Sequence, residues 1–103
     1  MRITPNNAGL GARVEGIDLR MPLDQAGFRT LLRALGQYGV LCFPGQDLEA
    51  PQLADFAGRY GDLEVNVANL FHAPGHPEIM ILSNMRDADG KPVGLSDAGQ
   101  GWH

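Results

Sequence analysis

The sequence lacks the features that mark several large classes of protein. It has a single cysteine, Cys42, so no disulfide can form within the chain, which favours a reducing, cytoplasmic setting. Its eight lysines and arginines are scattered singly and its net charge is −4, so we expect no nucleic-acid partner. No apolar run exceeds four residues, so we expect neither a signal peptide nor a membrane partner.

What is present is typical of a small folded domain. Hydrophobic residues make up 44% of the chain and charged residues 19%, a balance that argues against disorder. The 14 glycines and seven prolines, many of them in the second half, predict a loop-rich second half. A chain of 103 residues can bury only a small core.

The first half predicts a hairpin, a helix and a buried strand. Residues 13–19 alternate polar and apolar side chains, and Ile3 begins a candidate partner strand across a turn at residues 6–11. A helix follows, with Asp24 as N-cap and Gly39 as stop. Its apolar stripe consists of Phe28, Leu31, Leu32, Leu35 and Tyr38. Residues 40–43 are apolar throughout, so we expect a strand buried on both faces, with Cys42 as a small buried hydrophobe.

The second half predicts fewer regular elements. A short helix begins near Pro51 and ends at Gly61, and its apolar face consists of Leu53, Phe56, Ala57 and Tyr60. A strand is expected at residues 79–82, after a break at His76 and Pro77. Residues 62–77 and 84–101 show no strong periodicity. The second of these gaps contains the turn pair Asp89 and Gly90, and loops of this length are usually functional or disordered.

Three histidines are the residues most suited to chemistry. A zinc-binding helix through His72 and His76 is improbable because Pro74 and Gly75 lie between them, so we interpret both as loop histidines. We interpret Asp87, Asp89 and Asp97 as solvated charges rather than as metal ligands, because Asp87 and Asp89 flank a turn and two glycines separate Asp97 from His103. This leaves His103, which follows a glycine-bearing loop and Trp102.

Several short blocks, taken in order, carry a resemblance to a known family. They are residues 11–19, 39–46, 56–63, 76–79 and 101–103. Each block is weakly specific alone, but the ordered set covers nearly the whole chain. It resembles the N-terminal third of the taurine dioxygenase and dichlorophenoxyacetate dioxygenase family.

The resemblance implies an Fe(II)-dependent and 2-oxoglutarate-dependent dioxygenase that uses oxygen to hydroxylate a small, anionic organic substrate. The implied fold is α+β, the N-terminal fragment of a double-stranded β-helix (jelly roll), with two helices flanking a few strands. His103 matches the first histidine of the family's His-x-Asp motif, one of the ligands of a facial triad. The other ligands and the arginine that binds 2-oxoglutarate are expected beyond the chain.

The same resemblance assigns roles to the two irregular gaps. Residues 1–103 are expected to form one partial domain, with residues 84–101 as an active-site loop. Asn66, Asn69 and Asn84 are candidate substrate-binding residues. Asn66, Asn69 and Gly99 differ from the residues that sulfonate-binding members carry, which disfavours taurine as substrate. Trp102 is expected to pack against His103 and orient it.

Two readings of the chain remain open. In the first, the chain is an incomplete part of the oxygenase; it does not hold iron or turn over 2-oxoglutarate alone, and its exposed sheet edges favour a homo-oligomer. In the second, it is a non-catalytic binding or interaction module derived from the same fold. The codons that follow His103 distinguish the two readings.

Overall fold

The computed structural model describes residues 1–66, 70–99 and 101, which belong to two compact units: residues 1–48 and residues 49–103. Two helices and a few short strands make up the described part, so the predicted α+β class is confirmed. No helix in these ranges is long and apolar enough to span a membrane.

The first unit contains a three-stranded sheet in the order β1-β2-β3. Strand β1 (Arg2–Pro5) pairs antiparallel with β2 (Ala12–Glu15), so the predicted hairpin is confirmed. Strand β2 ends earlier than its alternating pattern suggests, because Gly16 follows with a φ of 73° that no strand continues. Strand β3 (Leu41–Cys42) runs parallel to β2.

Helix α1 (Gln25–Tyr38) has the ends that its sequence predicts. The carboxylate of Asp24 accepts a hydrogen bond from the Gly27 amide at 2.7 Å, which satisfies an orphan donor of the first turn. Gly39 has a φ of 78°, and its amide donates to the Leu35 carbonyl at 2.8 Å. Capping therefore fixes both ends of this helix.

The core of the first unit is small and comes from β2 and α1. Ala12 and Val14 are buried on one face of β2, whereas Arg13 between them is exposed, as the alternation predicts. Leu31 and Ala34 are buried on α1. No side chain outside these four is both hydrophobic and buried among the described residues, so the unit depends on a few contacts.

The prediction for residues 40–43 is wrong. The strand comprises only Leu41–Cys42, Val40 is 54% exposed, and Cys42 is exposed rather than buried. The reason is topological: β3 is the edge strand of the sheet, and within the described ranges it pairs with β2 alone. An apolar strand with one neighbour leaves apolar surface in solvent.

Gln46 ties the chain after β3 to the chain after β2. Its amide nitrogen donates to the Ile17 carbonyl at 2.8 Å, and its amide oxygen accepts from the Leu19 backbone at 2.9 Å. Both bonds are partly buried, which strengthens them relative to exposed ones. One side chain thus satisfies two backbone groups of an irregular segment.

The second unit begins with helix α2 (Ala50–Gly58), which has Pro51 in its first turn as predicted. The Glu49 amide donates to the Gln52 side chain at 3.0 Å and caps the helix start. The helix ends at Gly58, and the bonds from residues 59, 60 and 61 to the carbonyls three residues earlier continue it as a tightened turn. The predicted stop at Gly61 is the last residue of that turn.

A short antiparallel hairpin follows, formed by β4 (His72–Ala73) and β5 (His76–Met80). Gly75, with a φ of 76°, lies in its turn. The expected break at His76 and Pro77 is wrong, because the strand begins there. Proline is tolerated in β5 because the sheet has two strands, so one edge of β5 needs no amide donor.

Candidate active-site segment

Residues 84–101, expected to be an active-site loop, contain a hairpin-like fold rather than an irregular loop. The Val93 amide donates to the Met85 carbonyl at 3.1 Å, and the Asp87 amide donates to the Lys91 carbonyl at 2.9 Å. An isolated bridge between Arg86 and Pro92 lies between these bonds. The absence of periodicity in the sequence therefore did not mean the absence of backbone pairing.

The tip of this hairpin is closed by side chains. The Asp87 carboxylate accepts hydrogen bonds from the amides of Asp89 and Lys91, both at 2.9 Å. The Arg86 guanidinium donates to the carbonyl of Gly90, whose φ is 78°. The turn predicted at Asp89 and Gly90 is confirmed, and Asp87 serves the turn as an acceptor.

The hairpin is joined to β5 by a close crossing of two chain segments. Leu82 and Leu95 form a parallel bridge, with the Leu95 amide 2.9 Å from the Ile81 carbonyl and the Ser83 amide 3.1 Å from the Leu95 carbonyl. Gly94, buried beside this bridge, allows the approach. Sequence reasoning missed Gly94, because the sequence does not show which distant residues pack against a given glycine.

The candidate substrate residues have different outcomes. Asn66 and Asn84 are both exposed. Asn69, together with Trp102 and His103, lies outside the described residues. Gly99 has a φ of 82°, a conformation that favours glycine over the asparagine expected in sulfonate-binding relatives. The roles of these residues remain predictions.

The two other histidines lie in strands rather than loops. On β5 the His76 ring nitrogen Nδ1 is 2.8 Å from the Glu78 carboxylate oxygen Oε1, and both side chains are partly buried. This hydrogen bond lowers the pKa of Glu78 below its ordinary value, and the Glu78 backbone and the charge of His72 act in the same direction. The pairing follows from their spacing, since residues i and i+2 share a face of a strand.

The described residues do not by themselves form an iron site. Within residues 1–66, 70–99 and 101, no three side chains of histidine, cysteine, aspartate or glutamate converge closely enough to hold a metal ion. His72, His76 and Glu78 therefore do not form a triad.

The Glu78 carboxylate gives the second unit a defined pH dependence. Because its pKa is lower in the folded chain than its ordinary value of 4.5, the group stabilises the fold above that pH and loses this contribution as the pH falls through the lowered pKa. We expect the stability difference between the wild type and Glu78→Gln to be larger at pH 7 than at pH 3. Urea unfolding at both pH values measures it.

The exposed Glu64 supplies a matched control. Glu64→Gln should alter the stability at the two pH values less than Glu78→Gln does. Equal pH dependence of the wild type and Glu78→Gln would contradict the assignment of the His76–Glu78 pair.

Comparison with known proteins identifies the family. Residues 2–103 match the sequence profile described as the taurine catabolism dioxygenase TauD, TfdA family. The chain is 41% identical over 90 residues to the (S)-phenoxypropionate/alpha-ketoglutarate-dioxygenase of Delftia acidovorans, covering 87% of this chain and 27% of the relative. It is 32% identical to the pentalenolactone F synthase of Streptomyces avermitilis, covering 93% of this chain and 32% of the relative.

Solved structures agree. A crystal structure assigned to an alpha-ketoglutarate-dependent taurine dioxygenase from Burkholderia xenovorans superimposes with a TM-score of 0.68 at 30% identity, covering 74% of this chain and 27% of that chain. The protein AAD-2, in complex with Mn(II) and N-oxalylglycine, superimposes with a TM-score of 0.59 at 33% identity, covering 61% of this chain and 23% of that one.

These matches identify the class of protein. The Delftia relative and the Burkholderia structure are both named as alpha-ketoglutarate-dependent dioxygenases. The chain belongs to the TauD, TfdA family of dioxygenases. It spans about a quarter to a third of the length of the curated relatives it matches.

Proposed function

We propose that residues 1–103 function as part of a 2-oxoglutarate-dependent dioxygenase that hydroxylates a small organic substrate. In that reaction one oxygen atom of O₂ enters a C–H bond of the substrate to give C–OH, and the other enters 2-oxoglutarate, which leaves as succinate and CO₂. The single observation that carries the proposal is the family match, which extends over residues 2–103.

The proposed cofactor is Fe(II), with His103 as one ligand. The support is the position of Gly101, Trp102 and His103 at the block that resembles the His-x-Asp motif, and the presence of a divalent metal in the AAD-2 complex. Bound iron would supply the activation of oxygen. Among the described residues no three side chains of histidine, cysteine, aspartate or glutamate converge on a metal position. The resemblance implies that the carboxylate, the other histidine and the 2-oxoglutarate arginine belong to further residues of the same protein.

The proposed substrate class is a small organic anion. Two relatives are named for phenoxypropionate and 2,4-dichlorophenoxyacetate, which are both carboxylates. Asn66, Asn69 and Asn84 are the candidate binding residues, because a side-chain amide can donate hydrogen bonds to a carboxylate oxygen. The departures at Asn66, Asn69 and Gly99 favour a carboxylate over taurine.

The proposed fold of the complete protein is a jelly roll. The support is β3: this edge strand, with exposed Cys42 in it and exposed Val40 directly before it, is suited to further strands on its open side. The same open edge can pair with another chain when no further strand covers it.

We therefore expect the 103-residue chain, expressed alone, to self-associate. Light scattering coupled to size exclusion should give a dimer or a larger species, and Val40→Lys should reduce association because a charge directly before the edge strand β3 opposes pairing. Val65→Lys, at another exposed valine, is the control and should have little effect. A monomeric wild type at high concentration would contradict this expectation.

A substrate screen tests the proposed function. The complete open reading frame that contains residues 1–103 is expressed, loaded with Fe(II), and assayed for oxygen-dependent succinate formation with phenoxypropionate, 2,4-dichlorophenoxyacetate and taurine. We expect stimulation by a carboxylate substrate. Binding of these anions with no succinate formed would favour the second candidate, a non-catalytic module of the same fold.

A further inference from the structure

Gly94 has no space for a side chain, whereas its neighbouring glycines do. A Cβ placed on Gly94 would lie 2.7 Å from the Ile81 carbonyl oxygen, 2.8 Å from Ile81 Cγ2 and 3.0 Å from the Ser83 amide nitrogen. Real Cβ atoms essentially never approach other atoms as closely as the two Ile81 distances require, and the 3.0 Å distance to Ser83 is tighter than most real contacts. The Ile81 oxygen and the Ser83 nitrogen are backbone atoms, which cannot rotate away as a side chain can.

The other described glycines of the segment meet no such obstruction. Gly90 and Gly99 have φ values of 78° and 82°, and a Cβ on either would meet open space. A Cβ on Gly101 would also meet open space. Among these four glycines, only Gly94 has no room for a side chain, because a neighbouring segment of the same chain lies against it.

The close approach at Gly94 has a clear structural consequence. It allows the Leu95 amide and carbonyl to bond Ile81 and Ser83 on either side of the bridge to Leu82. Ile81 is itself bonded through its amide to the Phe71 carbonyl, beside the β4–β5 hairpin. Backbone hydrogen bonds therefore connect Leu95, through Ile81, to the β4–β5 hairpin.

We propose that Gly94 is a positioning residue of the active site: it allows the crossing that holds Leu95, which precedes His103 by eight residues in the sequence. The inference rests on the proposed function, because it gives the crossing a role only if His103 serves the site. An added methyl group would meet Ile81 and Ser83 and would break the bonds at Leu95 and Ser83.

The experiment uses the complete protein and begins with the wild type. The amides of Ser83 and Leu95 should exchange with deuterium at least about 10-fold more slowly than the amides of exposed turn residues such as Ala88. Unprotected Ser83 and Leu95 amides would overturn the proposal, whether or not the Gly94→Ala variant folds.

Gly94→Ala then tests the role. We expect faster exchange at both amides and fewer moles of hydroxylated product per mole of succinate. In a misdirected site 2-oxoglutarate still takes one oxygen atom to give succinate and CO₂, but the other is reduced to water by a two-electron reductant added to the assay, such as ascorbate, instead of entering substrate. A merely structural defect would lower the amount of active enzyme and leave that ratio unchanged, and this result would overturn the proposal. Gly36→Ala, in open space on α1, is the matched control and should keep the wild-type ratio.

A double variant tests the nature of the obstruction. Ile81→Ala removes the obstructing Cγ2 but leaves both backbone atoms, so it should fail to restore the ratio in Gly94→Ala. Restoration would overturn the backbone-crossing account. Absence of succinate from the wild type would instead contradict the proposed function, while the exchange of Ser83 and Leu95 would still test the crossing.

Discussion

Leu31→Ala is expected to lower the free energy of unfolding by about 2–5 kcal/mol, the usual cost of a cavity left by a buried leucine. Leu31 is 0% exposed, and only Val14 is buried as completely among the described large side chains. A domain with so small a core has little stability to lose, so this change should unfold a large fraction of the first unit at 37 °C. Denaturant unfolding followed by far-ultraviolet circular dichroism measures it.

The neighbouring residue supplies the control. Leu32 belongs to the same apolar stripe in the sequence but is 42% exposed. Leu32→Ala should change the free energy of unfolding by less than about 1 kcal/mol, because little apolar surface returns to water. Equal losses from the two variants would contradict the orientation of α1.

His103→Ala in the complete protein is the second change with a large expected effect. Loss of residues that merely support a metal ligand typically costs 10–100-fold, so loss of a ligand itself should reduce succinate formation by more than about 100-fold. Titration with Mn(II), followed by electron paramagnetic resonance, should show weakened metal binding in the same variant. This readout does not depend on turnover.

Another histidine serves as the control for that experiment. His72 is exposed on β4, and the described residues offer it no pair of metal-binding partners. His72→Ala should retain both metal binding and turnover. A His103→Ala variant with wild-type metal affinity, or a His72→Ala variant that loses it, would contradict the ligand assignment.

Local signals predicted the first unit well. Asp24 and Gly39 fix the ends of α1 because capping depends on residues adjacent to the helix, and the alternation of Arg13 with buried neighbours identifies β2. The pattern failed where burial depends on distant partners. Cys42 is exposed because β3 is an edge strand, a property of sheet order that no local window contains.

The second unit was harder to predict for the same reason. Strand β4 has only two residues, which are too few to show an alternating pattern. Its pairing with β5, which includes Pro77, could therefore not be predicted from the sequence. Gly94 looked like any loop glycine, because the atoms that exclude its side chain lie more than ten residues away along the chain. The family was recognisable from ordered blocks, but the candidate substrate-binding residues Asn66 and Asn84 could not be placed by pattern alone.

The most direct test of the account is the fate of 2-oxoglutarate in the complete protein. With Fe(II), oxygen and a carboxylate substrate present, we expect one succinate for each hydroxylated product, and no succinate when iron is omitted. Residues 1–103 alone should form none above background. Iron-loaded complete protein that leaves 2-oxoglutarate unchanged, or succinate formed by residues 1–103 alone, would contradict the account.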